Sequence, residues 1–121
     1  MEAYFIVATS KSPEINFATN GEFTISGNSY MEDPIDFYSE LADWLKLFLA
    51  QTPSKLSLNI SLKYINSTSR KAILNIINLI NECRKCEFKI VWVYQGDDDE
   101  ILELGQDFQK ITEQDFEFRK L

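Results

Sequence analysis

The 121-residue chain contains no histidine. That absence excludes Ser-His-Asp and Cys-His catalysis, zincin motifs and histidine-ligated metals together. Catalysis would therefore have to use carboxylates, lysine, cysteine or backbone groups. No recognisable motif places an acid/base pair, so an enzyme is the weakest of the functional hypotheses.

Long apolar runs and basic clusters are missing as well. No apolar stretch approaches the roughly 20 residues of a membrane-spanning helix. The N-terminal residues Met1–Tyr4 lack the basic region and apolar extension of a signal peptide. A net charge of −7 without a concentrated basic patch makes nucleic acid and anionic membranes poor partners. We expect a cytoplasmic protein that binds neither.

The composition that remains is that of one folded domain. Hydrophobic residues make up 45% of the chain and aromatic residues 13%, and a chain of this length buries roughly 65% of its unfolded surface. No repeat, low-complexity segment or linker divides the chain. We therefore expect a single domain over residues 1–121.

A strand followed by a helix forms the centre of the predicted fold. Apolar and polar residues alternate over Leu56–Tyr64, which predicts a strand with one buried face and one polar face. The next apolar residues have the spacing of an amphipathic helix: Ile73, Ile76, Ile77 and Ile80. Between the two lie four residues that suit helix N-caps: Asn66, Ser67, Thr68 and Ser69.

Two bases follow these hydroxyls. Arg70 and Lys71 occupy a first helical turn where the dipole favours acids by roughly 0.3–1 kcal/mol each. Basic side chains beside free N–H groups and hydroxyls can bind an anion, such as a phosphoryl group. The alternative is that both bases are solvated and that Ser67–Ser69 only cap the helix. The residues alone favour this alternative.

The flanking segments complete a predicted α/β (α+β) fold. Asn20-Gly21 lies between two short strand-like runs and predicts a hairpin, and Asp33 and Pro34 suit the N-cap and first position of a helix that ends near Thr52-Pro53. We expect a mixed sheet with an N-terminal hairpin and three helices mainly on one face. The further predicted elements are a first strand or lead-in at Tyr4–Val7, apolar helix stripes at Phe37, Leu41, Trp44, Leu45 and Phe48 and at Ile101, Leu102, Leu104, Phe108 and Ile111, and an edge strand at Phe116–Leu121.

The segment Phe88–Tyr94 is apolar on both faces apart from Lys89, which predicts an interior strand. Either Val91 and Val93, or Ile90, Trp92 and Tyr94, face away from the helices, and the sequence does not choose between these registers.

Two motifs suggest metal or redox chemistry. Cys83-Arg84-Lys85-Cys86 is a CxxC, but it follows a helix C-terminus, whereas redox pairs lie at helix N-termini, and zinc would need further ligands. The position and the missing ligands therefore favour two ordinary thiols over a redox pair or a zinc site. The acids Asp97–Glu100 suggest Mg²⁺ or Ca²⁺, but they lack the ligand spacing of an EF-hand and are favourable at a helix N-terminus without metal. We expect no metal and no cofactor.

Six short motifs, in their order and spacing, resemble the SiaC-type regulatory phosphoproteins of bacteria. The resemblance runs from about Ser12 to about Phe118. The motifs are Ser12-Pro13-Glu14-Ile15-Asn16-Phe17, Ile25-Ser26-Gly27-Asn28-Ser29-Tyr30, Phe37-Tyr38 with Trp44-Leu45, Tyr64-Ile65-Asn66-Ser67-Thr68-Ser69-Arg70-Lys71, Val91-Trp92-Val93-Tyr94, and Gly105-Gln106-Asp107-Phe108.

The resemblance implies a non-enzymatic switch with a fold similar to STAS domains, the anti-sigma-factor antagonists. In this family a dedicated kinase phosphorylates the residue after the Asn of the turn, and a PP2C-like phosphatase reverses it. The unmodified form binds and activates a partner, in the best-known case a diguanylate cyclase. The acceptor here is Ser67, where the family usually has Thr, with Thr68 as the alternative; Met31 replaces a usual Pro. The remaining residues of the implied phosphate turn are Asn66, Ser69, Arg70 and Lys71.

Two other functions remain open. The chain could be a constitutive interaction module that binds through the sheet face or through Asp97–Glu100 without phospho-control. It could also be a small enzyme or metal-binding protein based on carboxylates.

Overall fold

The computed structural model describes residues 1–83 and 85–121. Six strands and three helices are present in these residues, and none of the helices is long and apolar enough to span a membrane. Their bounds are β1 Tyr4–Ile6, β2 Glu14–Phe17, β3 Glu22–Ser29, α1 Ile35–Leu49, β4 Lys55–Ile65, α2 Ser67–Asn81, β5 Glu87–Tyr94, α3 Asp99–Thr112 and β6 Phe116–Lys120.

The six strands form one mixed sheet in the order β1-β2-β3-β4-β5-β6. The first three strands pair antiparallel, and β3 to β6 pair parallel. Each parallel connection contains one helix, as a crossover requires. The predicted hairpin is confirmed: Ala18 N donates to Glu22 O at 3.0 Å, and Gly21 has a φ of 91°, which glycine adopts without a Cβ clash.

The core lies between the helices and one face of the sheet. Leu58 and Ile60 of β4 are fully buried, as are Ile73 and Ile77 of α2. The residues of β4 that alternate with them are only partly buried: Ser57, Asn59 and Ser61. We call their side of the sheet the helix-free face. The predicted α/β domain with helices on one face is confirmed.

The register of β5 follows from its contact with α3. Trp92 is 1% exposed, and its Nε1 donates a 2.9 Å hydrogen bond to Ile101 O. Ile90 is buried on the same helix-covered face, so Val91 and Val93 lie on the helix-free face. This resolves the alternative that the sequence left open, and β5 is an interior strand as predicted.

A β-bulge changes the predicted side of Tyr64. Gly27 pairs with Leu62, but the next residue, Asn28, pairs with Tyr64, so Lys63 has no opposite residue. An extra residue moves the following side chains to the other face. Tyr64 is consequently 67% exposed and Ile65 is buried. The prediction that the buried alternation continues through Tyr64 is wrong.

Two helix predictions need small corrections. α1 begins at Ile35 with Pro34 as its N-cap, although Asp33 Oδ1 still accepts a hydrogen bond from Ile35 N at 3.2 Å. In α3, Ile111 is 60% exposed and Thr112 is buried instead. The reason is helical geometry, because Thr112 continues the four-residue steps of the buried Leu104 and Phe108, and Ile111 lies about 100° around the helix from Thr112.

The two cysteines also differ from the prediction. The sulfur atoms of Cys83 and Cys86 lie at bonding distance, as a disulfide, with Cα atoms 5.6 Å apart. The interpretation as two ordinary thiols is therefore wrong. Arg84 of the same motif lies outside the described residues. Cys86 Sγ also lies 3.0 Å from Pro53 O.

Candidate functional site

The candidate site is the turn between β4 and α2, residues 66–71, which we call the Ser67 turn. Asn66 is the N-cap of α2, and its Oδ1 accepts a hydrogen bond from Ser69 N at 3.0 Å. Ser67 is the first helical residue. Because the first turn of a helix leaves its amides unpaired, the N–H groups of Ser67 and Thr68 remain available at the positive end of the dipole.

Asn66 also fixes the loop that follows β3. Its backbone N–H donates to Ser29 O at 3.0 Å, and its Nδ2 donates to Met31 O at 2.6 Å. The loop is thus fixed here by the Asn66 side chain.

A buried hydroxyl pair supports this loop from below. Ser29 Oγ and Tyr38 Oη lie 2.6 Å apart, and both residues are buried. Burial raises the pKa of Tyr38 to about 12, against a smaller lowering by the Ser29 hydrogen bond. Tyr38 is therefore a neutral phenol near pH 7 and joins α1 to the end of β3.

The three hydroxyls of the turn have different environments. Ser69 is fully buried, and its Oγ has no hydrogen-bond partner among the described residues. Thr68 is exposed, but its Oγ1 donates to Asn66 Oδ1 at 3.3 Å. Ser67 is exposed and has no side-chain hydrogen bond within the part of the chain that the structure describes. Sequence reasoning grouped the three hydroxyls as helix caps; burial distinguishes Ser69, and the hydrogen bond to Asn66 distinguishes Thr68 from Ser67.

The electrostatics of the turn are basic. Arg70 and Lys71 are both exposed, and the first turn of α2 contains no acid. Across residues 1–83 and 85–121, the side-chain ion pairs join Glu117 to Lys89 and to Arg119, on the other side of the sheet. Hydrogen bonds, first from Lys89 and then from Arg119, lower the pKa of the Glu117 carboxyl.

A groove of about 770 Å³ between α1 and α2 begins at this turn. Thr68 and Lys71 line it together with Asp33, and its apolar floor includes Ala42 and Ala72.

The acidic run has a structural role in capping. Asp98 is the N-cap of α3, and its Oδ1 accepts from Ile101 N at 3.1 Å. The predicted opening of the helix by these acids is confirmed. Among the described residues, no group of three or more acids and cysteines is arranged to hold a metal ion. The absence of metal binding remains a prediction.

Sequence reasoning missed one neighbouring feature. Tyr30 and Tyr64 are 57% and 67% exposed and line one cavity at the carboxyl ends of β3 and β4. Tyr64 precedes the Ser67 turn by three residues. The bulge that exposes it has no clear signal in a strand with regular alternation.

The described geometry is that of a small mixed α/β domain in which Asn66 caps a helix and the next residue, Ser67, exposes its hydroxyl at the helix N-terminus. A family model described as "SiaC family regulatory phosphoprotein" matches residues 6–121, and the chain belongs to this family. The predicted resemblance is thereby confirmed, whereas the similarity to STAS domains remains a prediction.

Known relatives agree with this assignment. The crystal structure of apo-SiaC from Pseudomonas aeruginosa is 27% identical, with a TM-score of 0.88, and the match covers 98% of this chain and 99% of that one. The activator SiaC in complex with the diguanylate cyclase SiaD, from the same species, is 26% identical, with a TM-score of 0.90 and the same coverage. An uncharacterised protein of P. aeruginosa strain UCBPP-PA14 is 28% identical over 92 residues, which are 74% of this chain and 73% of that protein.

Proposed function

We propose that this chain is a non-enzymatic regulator that binds and activates an effector protein, and that phosphorylation of Ser67 switches this binding off. The observation that carries the proposal is the hydroxyl of Ser67, which is exposed and unengaged at the first position of α2. A dedicated protein kinase would add the phosphoryl group, and a PP2C-like phosphatase would remove it. We place the switch in the cytoplasm.

The local chemistry supports Ser67 as the acceptor over Thr68. The Thr68 hydroxyl is engaged with Asn66, and a kinase would first have to break that hydrogen bond. The hydroxyl of Ser67 needs no such rearrangement. Ser69 is excluded because a kinase cannot reach a fully buried side chain.

The turn is suited to hold a phosphate once it is added. Phosphorylation adds about −1.5 to −2 charges and three acceptor oxygens. Arg70 and Lys71 lie three and four residues after Ser67, the spacing that places helical side chains on one face. Charge-assisted hydrogen bonds from these bases, together with the free amides, would stabilise the dianion. The fold should therefore tolerate the modification.

The effector of this chain is proposed to be a diguanylate cyclase. The support is the solved complex of the related SiaC with SiaD. The structural match to that SiaC covers 98% of this chain at 26% identity. A partner surface that accepts a neutral hydroxyl at Ser67 would meet a dianion after phosphorylation. We therefore expect phosphorylation to weaken the complex and to leave the stability of the fold nearly unchanged.

Mass spectrometry and binding together test the proposal. Peptide mapping of protein from its native cells should place one phosphate on Ser67. Ser67→Ala should abolish the phosphate and keep the partner in co-purification, while Thr68→Ala, the matched control, should keep both. Ser67→Asp should weaken the complex with little change in melting temperature.

Three results would contradict it. These are phosphate on Thr68, no phosphate in the turn, or a Ser67→Asp variant that binds as tightly as the wild type. Unaltered binding without any phosphate would support the constitutive interaction module instead.

A further inference from the structure

A small cavity of about 340 Å³ lies at the carboxyl ends of β3 and β4, on the helix-free face. Its lining is Ser10, Asn28, Tyr30 and Tyr64, and we call it the tyrosine socket. None of these side chains carries a charge near neutral pH. The socket is separate from the groove between α1 and α2, with which it shares no residue.

The socket is built by the bulge at Lys63. Without the extra residue, Tyr64 would follow Leu62 on the core side of β4, and instead it lies beside Asn28 on the helix-free face. Bulges that redirect a side chain are over-represented beside functional sites. The result is a large aromatic ring that is held on a rigid strand and is 67% exposed.

The side-chain oxygen of Asn28 accepts no hydrogen bond from the described residues. Asn28 Nδ2 donates to Ser10 O at 3.3 Å, which leaves Oδ1 on the other side of the amide. Oδ1 is buried and has no hydrogen-bond partner among the described residues. Buried polar atoms of this kind are rare in native proteins. Because solvent does not reach Oδ1, a donor that enters the socket would reach it only after side chains of the lining move.

The two tyrosine rings of the socket favour a planar ligand group, because a flat group can stack on an aromatic ring. Tyr30 and Tyr64 line the same cavity, yet no aromatic contact joins their rings, whereas the core contains ten such pairs among the described residues. A planar group can therefore stack on either ring. Because both residues are more than half exposed, their side chains can rotate on the nanosecond timescale and admit a ligand to Asn28.

We propose that the tyrosine socket binds the guanidinium of an arginine on a protein partner. A guanidinium is planar, stacks on aromatic rings and carries five N–H donors, one of which would reach Asn28 Oδ1. The net charge of −7 attracts cations to the molecule as a whole. Arginine and tyrosine are also the residues that dominate interface energetics.

Titration of the unmodified protein with N-acetyl-L-arginine methylamide, followed by NMR, tests the socket directly. We expect saturable shifts of the Asn28 side-chain amide and of the Tyr30 and Tyr64 ring protons. The corresponding lysine compound, which has the charge without the plane, should bind at least threefold more weakly. The citrulline compound, which has the plane without the charge, should be weaker as well.

Variants locate the binding. Tyr64→Ala should reduce the arginine affinity at least fivefold, Tyr64→Phe should retain it, and Asn28→Ala, which removes the acceptor but not the stacking rings, should weaken arginine binding while arginine stays ahead of lysine. Phe5→Ala is the matched control, since Phe5 is 55% exposed on β1. Equal binding of lysine, equal or tighter binding of citrulline or adenosine, shifts that do not saturate, or an unaffected Tyr64→Ala would each overturn the proposal. No kinase or effector is present in this experiment, so its outcome is independent of the proposed role of Ser67.

Discussion

Asn66 Nδ2 donates a 2.6 Å hydrogen bond to Met31 O. The same side chain caps α2 through Oδ1, so one residue fixes both the start of the helix and the loop after β3. Ser67 is the next residue. The position of its hydroxyl therefore depends on two hydrogen bonds from opposite ends of a single amide group.

The two roles of Asn66 can be separated by substitution. Asn66→Ala should lower the free energy of unfolding by about 1–3 kcal/mol, because it removes the cap and leaves Met31 O without its donor. Asn66→Ser keeps a capping oxygen for Ser69 N, loses the donor to Met31 O and places no carboxylate beside that carbonyl, so it should recover part of the loss. Urea denaturation measures both, with Asn75→Ala on the exposed side of α2 as the control. Equal losses for Ala and Ser would show that the cap contributes nothing.

Tyr38 should give the protein a characteristic alkaline instability. Its pKa is raised from 10.0 to about 12 by burial, so the folded state favours the neutral phenol. This contribution is complete below pH 10 and is lost as the pH rises toward 12, and it amounts to about 2–3 kcal/mol. Urea denaturation across pH 9–12 should show this decline, and Tyr38→Phe should remove that part of it.

The same substitution has a cost at pH 7. Tyr38→Phe leaves Ser29 Oγ buried without its partner, which should cost about 1–3 kcal/mol. The double variant Ser29→Ala/Tyr38→Phe should lose less than the sum of the single variants, because the two side chains interact directly. Tyr30→Phe, which alters an exposed hydroxyl, serves as the control. Strict additivity would contradict the pairing.

Gly105 should not tolerate alanine although it lies within a helix. A Cβ there would lie 2.6 Å from Trp92 Nε1, too close for the packed indole. Alanine has a helix propensity better by about 1 kcal/mol, but the clash should outweigh it and give a net loss of about 1–3 kcal/mol. Gly96→Ala is the matched control, since its Cβ would meet only the flexible end of Lys120. A melting temperature of Gly105→Ala at or above the wild-type value would refute the close approach of α3 and β5.

Metal ions should leave the melting temperature unchanged. A ligand that binds the native state raises stability by mass action. The acids at the start of α3 instead cap the helix, as Asp98 does, or interact favourably with its dipole, as Asp99 and Glu100 do. Sub-millimolar Mg²⁺, Ca²⁺ or Zn²⁺ should shift the thermal transition of neither the wild type nor Asp98→Asn. A rise in the wild type that disappears in Asp98→Asn would establish a metal site.

The sequence by itself determined the elements and their order. The alternation over Leu56–Tyr64, which holds as far as Leu62, the helical spacing of Ile73 to Ile80 and Asn20-Gly21 each predict local structure, because the residues that decide it are close in sequence. The α/β class follows from these patterns. The position of the hydroxyl-rich turn follows from them too, since only Asn66 separates β4 from α2 and this leaves the turn little freedom.

The tertiary structure decided which side chains of the turn and its surroundings are accessible. Ser67, Thr68 and Ser69 are similar in composition, yet only packing beneath α2 buries Ser69 and only the cap engages Thr68. The facing of β5 was shown by the packing of Trp92 against Gly105 and Ile101 of α3. The bulge at Lys63 depended on the pairing of β4 with β3. Apart from the local hydrogen bond between Thr68 and Asn66, contacts between separate segments of the chain set these outcomes, and no local pattern encodes such contacts.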